Sequence, residues 1–316
     1  MELPELKALA ERTKDRKQLG IALVIFALAL GGITLLAMPF THPKPEVVEA
    51  PAPPAPPDAF AHIAVQGKAA VVYDLTTGLV LYEKNANAQL PLASITKLLT
   101  AYAATEYLDP NSTVTITPEA LAADGDSGLY AGETFKLADL ERFALVASSN
   151  DAAQAIADAA KNHVAQNTES LMKNVAAAVH LSQTYAVNGT GLDVSDSLSG
   201  GYGSAADMAK LAGALLAKNP ALAEATTEES VTVTSYSGLS HTLPNTDTSV
   251  GRFPNLLLSK TGFTDLAGGN LVVVFDVALN HPVAVVVLGS TRDARFSDVG
   301  TLIAATLAHF AGVTPS

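Results

Sequence analysis

The amino-acid sequence predicts an α+β fold, in which one antiparallel sheet packs against a layer or subdomain of helices. Three observations lead to this class. A strand hairpin pattern occurs at 69–85, a second one occurs at 270–289, and the residues between them carry mostly helical patterns. Because the hairpins are separated by the helical block, the sheet should take its strands from both ends of the folded region.

Both hairpins have the composition of paired strands. AAVVYDL (69–75) and LVLYEKN (79–85) are rich in aliphatic residues and tyrosine and flank a Thr-Thr-Gly turn. NLVVVFDV (270–277) and PVAVVVLG (282–289) flank a short Asn-His turn. Short apolar runs bounded by turn residues are typical of hairpins.

The helical block is predicted from apolar residues that recur at helical spacing. Ser204 and Asp207 form a candidate capping pair, and Asn150 or Asp151 is expected to cap the helix that begins DAAQ. The predicted helices cover about 93–108, 137–147, 151–160, 168–182, 204–218 and 297–311.

The N-terminal region predicts a membrane anchor. After a tail at 1–18, residues 19–40 contain no charged residue. A helix of this length spans about 33 Å, enough to cross a bilayer, whereas a signal peptide has a shorter apolar region. Lys14, Arg16 and Lys17 precede the segment, so the tail should be cytoplasmic and the rest of the chain extracytoplasmic. The predicted location is the cell membrane, with a single span.

The rest of the chain predicts a linker at 41–60 and one catalytic domain at 61–316. The stretch PKPEVVEAPAPPAPP (43–57) is proline-rich and should act as a semi-rigid spacer. A net charge of −12 argues against a nucleic-acid partner, and the lack of cysteine excludes disulfides and thiolate catalysis. The seven histidines form no metal-ligand spacing, so neither a metal nor a cofactor is expected.

Three short motifs carry candidate chemistry. Ser94 and Lys97 are three residues apart at a predicted helix start, where backbone N–H groups are unpaired and the two side chains share a face. The stretches SSN (148–150) and KTG (260–262) follow in the chain. Each motif alone is common, but this order is known from penicillin-binding proteins and class A β-lactamases.

The chain resembles the serine-type D-alanyl-D-alanine carboxypeptidases of the low-molecular-weight penicillin-binding protein family. The resemblance rests on LPLASITKLLTAY (90–102), SSNDAA (148–153), NGTGLD (188–193) and SKTGFTDLAGGNLV (259–272). It implies a β-lactamase/transpeptidase-like fold and removal of the terminal D-Ala from peptidoglycan stem peptides. It also implies inhibition by β-lactam antibiotics.

The resemblance implies three catalytic residues. Ser94 would be the acylated nucleophile, Lys97 its base, and Ser148 part of the proton relay. The backbone N–H of Ser94 would be one donor of the oxyanion hole. A lysine can act as a base if burial and a second cation, here Lys260, lower its pKa.

The resemblance also implies a substrate-binding set. Asn150 would hold the substrate amide, and Lys260 and Thr261, followed by Gly262, would bind the terminal carboxylate. The backbone N–H of Phe263 would be the second oxyanion donor, where fixed donors stabilise the developing negative charge.

Some features depart from the family pattern. Ser149 stands where glycine is common, which should narrow the cleft slightly. The β-rich second domain and C-terminal amphipathic anchor of many members are expected to be absent, with the N-terminal span in place of the anchor. His241 is expected in a loop, either lining the cleft or serving a plain surface role.

Alternative functions remain at this stage. A D,D-endopeptidase that cuts peptide cross-links would use the same residues, and a non-catalytic wall-binding module would keep the fold. A β-lactamase is disfavoured because no glutamate stands in an E-x-x-L-N context. The GDSG stretch (125–128) suggests a chymotrypsin-type serine, but the required upstream histidine pattern is missing.

Overall fold

The computed structural model describes residues 20, 21, 23–25, 27, 28 and 58–313. The chain divides into two units, Met1–Ala55 and Pro56–Ser316. The described residues of the predicted span are helical, while the rest of that span and most of the linker lie outside the described residues. No helix among the described residues is long and apolar enough to cross a membrane.

The second unit alternates strands with helices. Its strands are β1 (Ala69–Asp74), β2 (Val80–Lys84), β3 (Leu90–Pro91), β4 (Thr113–Thr115), β5 (Thr134–Lys136), β6 (Tyr185–Ala186), β7 (Gly201–Gly203), β8 (Ser230–Thr234), β9 (Ser240–Pro244), β10 (Leu256–Thr264), β11 (Gly268–Asp276) and β12 (Pro282–Ser290). Its α-helices are α1 (Thr96–Tyr107), α2 (Leu137–Val146), α3 (Asn150–His163), α4 (Thr168–Ala178), α5 (Ala205–Lys218), α6 (Pro220–Ala225) and α7 (Ala294–Ala311). Single 3-10 turns cover Ala93–Ile95 and Ala120–Ala122.

The main sheet confirms the predicted use of strands from both ends of the domain. Its order is β10-β11-β12-β1-β2, with antiparallel neighbours throughout. The late strand β12 pairs with the first strand, from Ala69 opposite Leu288 to Asp74 opposite Val283. Both predicted hairpins are present, as β1–β2 and β11–β12.

Both faces of this sheet are buried, which explains its continuous aliphatic runs. On β11, Val272 packs into the core shared with helices α1 and α5, whereas Val273 packs into the core shared with α7. This alternation follows the two-residue repeat of a strand. The sheet is therefore the middle layer, and α7 covers the face opposite α1 and α5.

The remaining helices form the predicted helical block beside the sheet. Helices α2 and α3 pack against each other and against α1. Their core includes Phe135, Leu140, Phe143 and Ile156. This block holds Ser148 and Asn150 next to β10, the edge strand of the main sheet, so it positions part of the site.

The β8–β9 hairpin was not predicted, and placing His241 in a loop was wrong. Strand β8 reads SVTVT, and only Val231 and Val233 of it are buried. His241 lies in β9, opposite Val233. Its side chain is 9% exposed and contacts Glu133, so a plain surface role is also excluded.

Two predicted helix caps need correction. Helix α3 is capped by Ser149, whose Oγ accepts a hydrogen bond from the N–H of Ala152, and not by Asn150 or Asp151. At α5, Ser204 accepts from the N–H of Asp207 as predicted. The Asp207 carboxylate instead accepts from the N–H of Gln183, so the reciprocal half of the capping pair is not formed.

Candidate active site

Ser94 lies in the 3-10 turn that leads into α1, as the motif predicted. The preceding residue, Ala93, has a left-handed backbone with φ 49°. Gly191 of the NGTGLD stretch packs against this turn at φ +77°, and a Cβ there would lie 1.9 Å from the carbonyl oxygen of Ala93. Only glycine allows this approach, so the 188–193 loop fixes the turn that carries Ser94.

Lys97 is buried, at 1% exposure, and its Nζ contacts three oxygen atoms. Ser94 Oγ is 2.7 Å away, Asn150 Oδ1 is 2.7 Å away and the carbonyl oxygen of Thr190 is 2.9 Å away. The two carbonyl-type oxygens can only accept, so they take two N–H groups of the amine. A neutral amine then has its lone pair directed to the one partner that can donate, the Ser94 hydroxyl.

The electrostatics favour this neutral form. Burial lowers the pKa of Lys97 well below its ordinary value, and the positive charge of Lys260 lowers it further. Burial also lowers the pKa of Lys260 to about 7, with a contribution from Arg295 that Asp247 partly opposes. Two buried amines close together cannot both stay charged at low cost, so a positive charge on Lys260 favours the neutral form of Lys97.

Ser148 and Lys260 form a second contact beside the first. Lys260 Nζ donates to Ser148 Oγ at 2.9 Å and to the carbonyl oxygen of Thr261 at 3.0 Å. Ser148 has a left-handed backbone, with φ 58°. Such strain in a non-glycine residue is often found at functional sites. Thr261 Oγ1 lies 2.6 Å from Thr246 Oγ1.

Asn150 joins the helical block to Lys97. Its Oδ1 accepts from Lys97, and its Nδ2 donates to the carbonyl oxygen of Asp124 at 2.5 Å. Both ends of the amide are occupied here, so its contact with a substrate stays a prediction. Ser149 is 2% exposed and caps α3, so the expectation that it narrows the cleft is wrong.

Strand β10 approaches the Ser94 turn closely at Gly262. A Cβ on Gly262 would lie 2.7 Å from the carbonyl oxygen of Leu92 and 3.1 Å from the backbone nitrogen of Ile95. The glycine therefore lets the strand that carries Phe263 reach the residues on both sides of Ser94. On its outer side, Phe263 stacks under the Arg292 guanidinium at 3.9 Å.

Three residues that the motifs did not assign complete this site. The Thr190 carbonyl binds Lys97, and Arg295 donates to the carbonyl oxygen of Gly262 at 2.8 Å. Asn270 is fully buried and donates to the carbonyl oxygens of Pro91 and Leu92 just before Ser94. Thr190 and Asn270 lie inside the stretches that resemble the family, whereas no pattern in the sequence marked Arg295.

The structure thus brings all the predicted site residues to one place. Ser94, Lys97 and Asn150 form one network, and Ser148, Lys260 and Thr261 form another. His241 is separate and pairs with Glu133. Across 58–313, no three His, Cys, Asp or Glu side chains converge as a metal site would require.

Comparison with known proteins decides the family. The family model for D-alanyl-D-alanine carboxypeptidases matches residues 53–292. The chain belongs to the D-alanyl-D-alanine carboxypeptidase family. The chain is similar to the carboxypeptidase DacD of Escherichia coli, with 30% identity over 74% of this chain and 61% of the relative. It is also 30% identical to an Escherichia coli D-alanyl-D-alanine endopeptidase, over 88% of this chain and 86% of that protein.

Solved structures confirm the predicted penicillin-binding protein fold. A D-alanyl-D-alanine carboxypeptidase from Mycobacterium tuberculosis H37Rv has a TM-score of 0.69 and 26% identity, over 78% of this chain and 92% of that one. Penicillin-binding protein D2 of Listeria monocytogenes, in an ampicillin-bound form, has a TM-score of 0.66 and 28% identity. That match covers 77% of this chain and 98% of the other. The chain spans 61% to 66% of the length of the first curated carboxypeptidases of this family.

Proposed function

We propose that this chain is a serine carboxypeptidase that removes the terminal D-Ala from peptidoglycan stem peptides through an acyl-enzyme on Ser94. The observation that supports it most is the environment of Lys97. Two acceptor-only oxygens occupy two of its N–H groups, and Ser94 Oγ lies 2.7 Å from its nitrogen. An amine held in this way can accept the serine proton, which is the requirement for nucleophilic catalysis.

The proposed acylation step follows from these contacts. As Ser94 Oγ bonds to the carbonyl carbon of the scissile amide, its proton moves to Lys97 Nζ. The backbone N–H groups of Ser94 and Phe263 stabilise the negative charge on the carbonyl oxygen. The carbon–nitrogen bond then breaks, and the proton held by Lys97 passes through the Ser148 hydroxyl to the leaving amine, which leaves Lys97 neutral. A water molecule next attacks the ester carbonyl and gives a proton to Lys97. The bond to Ser94 Oγ breaks, Lys97 returns the proton to that oxygen, and the shortened peptide leaves.

The proposed substrate contact uses the second network. Lys260 is buried and cationic below its pKa of about 7, and Thr261 carries a hydroxyl beside it. A carboxylate bound here would make charge-assisted hydrogen bonds, which are stronger than neutral ones. Asn150 would hold the substrate amide on the opposite wall, and Gly262 keeps β10 close to Ser94. A β-lactam would acylate Ser94 in the same way and act as an inhibitor.

A direct assay tests this function. We expect the full-length protein to release D-Ala from a pentapeptide that ends in D-Ala-D-Ala, and Ser94→Ala to release none. A folded parent that neither releases D-Ala nor is labelled by a fluorescent penicillin would contradict the proposal and favour a wall-binding module. Rapid turnover of the penicillin would instead identify a β-lactamase.

A second candidate is D,D-endopeptidase activity on peptide cross-links. It is favoured by the endopeptidase relative, which this chain matches over 86% of that protein's length. The same residues would act, with a cross-linked peptide in the position of the leaving D-Ala. The test compares kcat/KM for cross-linked dimer muropeptides with kcat/KM for the pentapeptide. A larger value for the dimers would identify the endopeptidase activity as the main one, and a larger value for the pentapeptide would identify the carboxypeptidase activity.

The protonation of Lys260 predicts a pH dependence of substrate binding. Because the pKa of Lys260 is lowered to about 7, its charge is lost as the pH rises through that value. We expect KM for a peptide with a free terminal carboxylate to increase by roughly tenfold between pH 6 and pH 8. KM for the amidated peptide should change little, and Lys260→Ala should remove the difference between the two peptides. If KM increased equally for both peptides, Lys260 would not be the group that binds the terminal carboxylate.

We further propose an N-terminal anchor, with the arrangement 1–18 cytoplasmic, 19–40 spanning, 41–60 linker and 61–316 catalytic. The support is the uncharged 22-residue segment and the basic residues before it. Protease added to intact spheroplasts should digest the catalytic domain. In a separate fractionation without protease, the intact protein should sediment with membranes. A mature protein that begins after residue 40, or a protected domain, would contradict this arrangement.

A further inference from the structure

A hydroxyl group outside the three sequence motifs lies beside the proposed carboxylate site. Thr246 follows β9, and its Oγ1 is 2.6 Å from Oγ1 of Thr261. Thr261 is 4% exposed, and Thr246 is half-buried next to it. The two residues are 15 positions apart in the chain, so the fold makes this contact and no local pattern marks it.

Hydrogen bonds hold the segment that carries Thr246 to the helical block. The backbone N–H of Thr246 donates at 3.2 Å to the carbonyl oxygen of Val146, the last residue of α2. The preceding residue, Asn245, is buried, and its Nδ2 donates at 2.8 Å to two carbonyl oxygens, those of Thr226 and Glu228. The backbone is therefore fixed at Thr246 and just before it.

The residue after Thr246 fixes the same segment to the main sheet. Asp247 is 1% exposed, and its Oδ2 accepts a hydrogen bond from the Ser259 hydroxyl. Its Oδ1 accepts from the backbone N–H of Ser249 at 2.7 Å. Ser259 directly precedes Lys260 on β10. Thr246 thus lies between two buried, hydrogen-bonded neighbours, which keep it in front of Thr261.

The two threonine hydroxyls can form their contact in only one direction once a carboxylate is bound. Each hydroxyl has one proton to donate, and its oxygen can also accept. An ionised carboxylate only accepts, so Thr261 must donate its proton to a carboxylate bound at this place. The Thr261 oxygen is then an acceptor in the contact with Thr246, and Thr246 must be the donor.

We infer that Thr246 is a positioning residue for the terminal carboxylate of the substrate. It donates to the Thr261 oxygen and thereby directs the Thr261 proton toward the carboxylate. This inference rests on the proposed carboxylate contact of Lys260 and Thr261. Hydrogen bonds in such a chain strengthen one another, and the bond to the carboxylate is charge-assisted. Loss of the Thr246 hydroxyl should therefore weaken selection of a free carboxylate.

The test uses the full-length protein and compares kcat/KM for a peptide with a free terminal carboxylate and for its amidated analogue. Thr246→Val keeps the shape of the side chain and removes the hydroxyl. We expect it to lower the ratio of the two kcat/KM values by roughly threefold to tenfold, through the free-carboxylate peptide. Thr246→Ser, which retains a hydroxyl, should keep most of the ratio of the parent.

The matched control is Thr242→Val. Thr242 Oγ1 lies 2.8 Å from Thr232 Oγ1 in an exposed pair across the β8–β9 hairpin, so this change removes a similar hydroxyl contact outside the site. The control should have the same ratio as the parent. An unchanged ratio in Thr246→Val, including equal losses for both peptides, would overturn the inference.

Thr261→Val separates the inference from the carboxylate contact on which it rests. If Thr246 acts through Thr261, the double variant should have the same ratio as Thr261→Val alone. A further loss in the double variant would overturn the inference, because Thr246 would then contact the substrate itself. A ratio lowered by Thr261→Val but not by Thr246→Val would overturn the inference and leave the carboxylate contact in place. A ratio unchanged in both single variants would overturn both.

Discussion

Replacement of Lys97 by methionine should slow acylation of Ser94 by on the order of a hundredfold or more. Methionine keeps the unbranched apolar stem of lysine, one atom shorter, but has no nitrogen to accept the serine proton. The Ser94 hydroxyl would lose its base, while the backbone N–H groups of the proposed oxyanion hole would stay in place. The measurement is the rate of labelling by a fluorescent penicillin under single-turnover conditions.

The control for this variant is Lys161→Met on α3. Lys161 is a partly exposed lysine that pairs with Asp158, far in sequence from the Ser94 turn. Its replacement should leave the labelling rate unchanged, and thermal unfolding should show that both variants are folded. If folded Lys97→Met is labelled as fast as Lys161→Met, Lys97 is not the base.

Replacement of Gly191 by alanine should disrupt the Ser94 turn. The added Cβ would lie 1.9 Å from the carbonyl oxygen of Ala93 and 2.7 Å from Thr96 Oγ1. The first neighbour is backbone and cannot rotate away, so the loop or the turn must move. We expect a loss in the free energy of unfolding on the order of 3 kcal/mol or more, together with slower penicillin labelling.

Gly132→Ala separates the steric overlap from the cost of a left-handed alanine. Gly132 also has a positive φ, +86°, but nothing lies within 4 Å of its Cβ position. Its replacement should cost only about 1 to 2 kcal/mol and leave labelling intact. Similar losses in both variants would show that the close approach at Ala93 does not constrain the site.

Much of the fold could be predicted because its elements carry strong local patterns. The strands of the β11–β12 hairpin are rich in valine because both of their faces are buried. The short turn between them is a second local signal. The β8–β9 hairpin was missed because its exposed positions are serine and threonine, and because only Val231 and Val233 give it an apolar face. The α3 cap was misassigned because Ser149, Asn150 and Asp151 are all good capping residues, and the sequence does not rank them.

The candidate site was predictable where side chains carry the chemistry. Ser94, Lys97, Ser148 and Lys260 belong to motifs whose order has a known meaning. Thr190 was missed because it acts through its backbone carbonyl, which any residue possesses. Arg295 was missed because its contact with Gly262 depends on how α7 packs against the sheet, and that packing leaves no local pattern.

The contacts around Ser94 also constrain when the site can form during synthesis. Asn270 binds the carbonyl oxygen of Leu92 from 178 positions later in the chain, and β1 finds its partner β12 only after residue 282. Closing loops of this size is slow compared with forming a helix, so these contacts should come late in folding. A ribosome-bound chain that lacks β11 would contain the Ser-x-x-Lys motif but not the strand that fixes it. The capacity to react with a penicillin should therefore appear together with completion of the sheet.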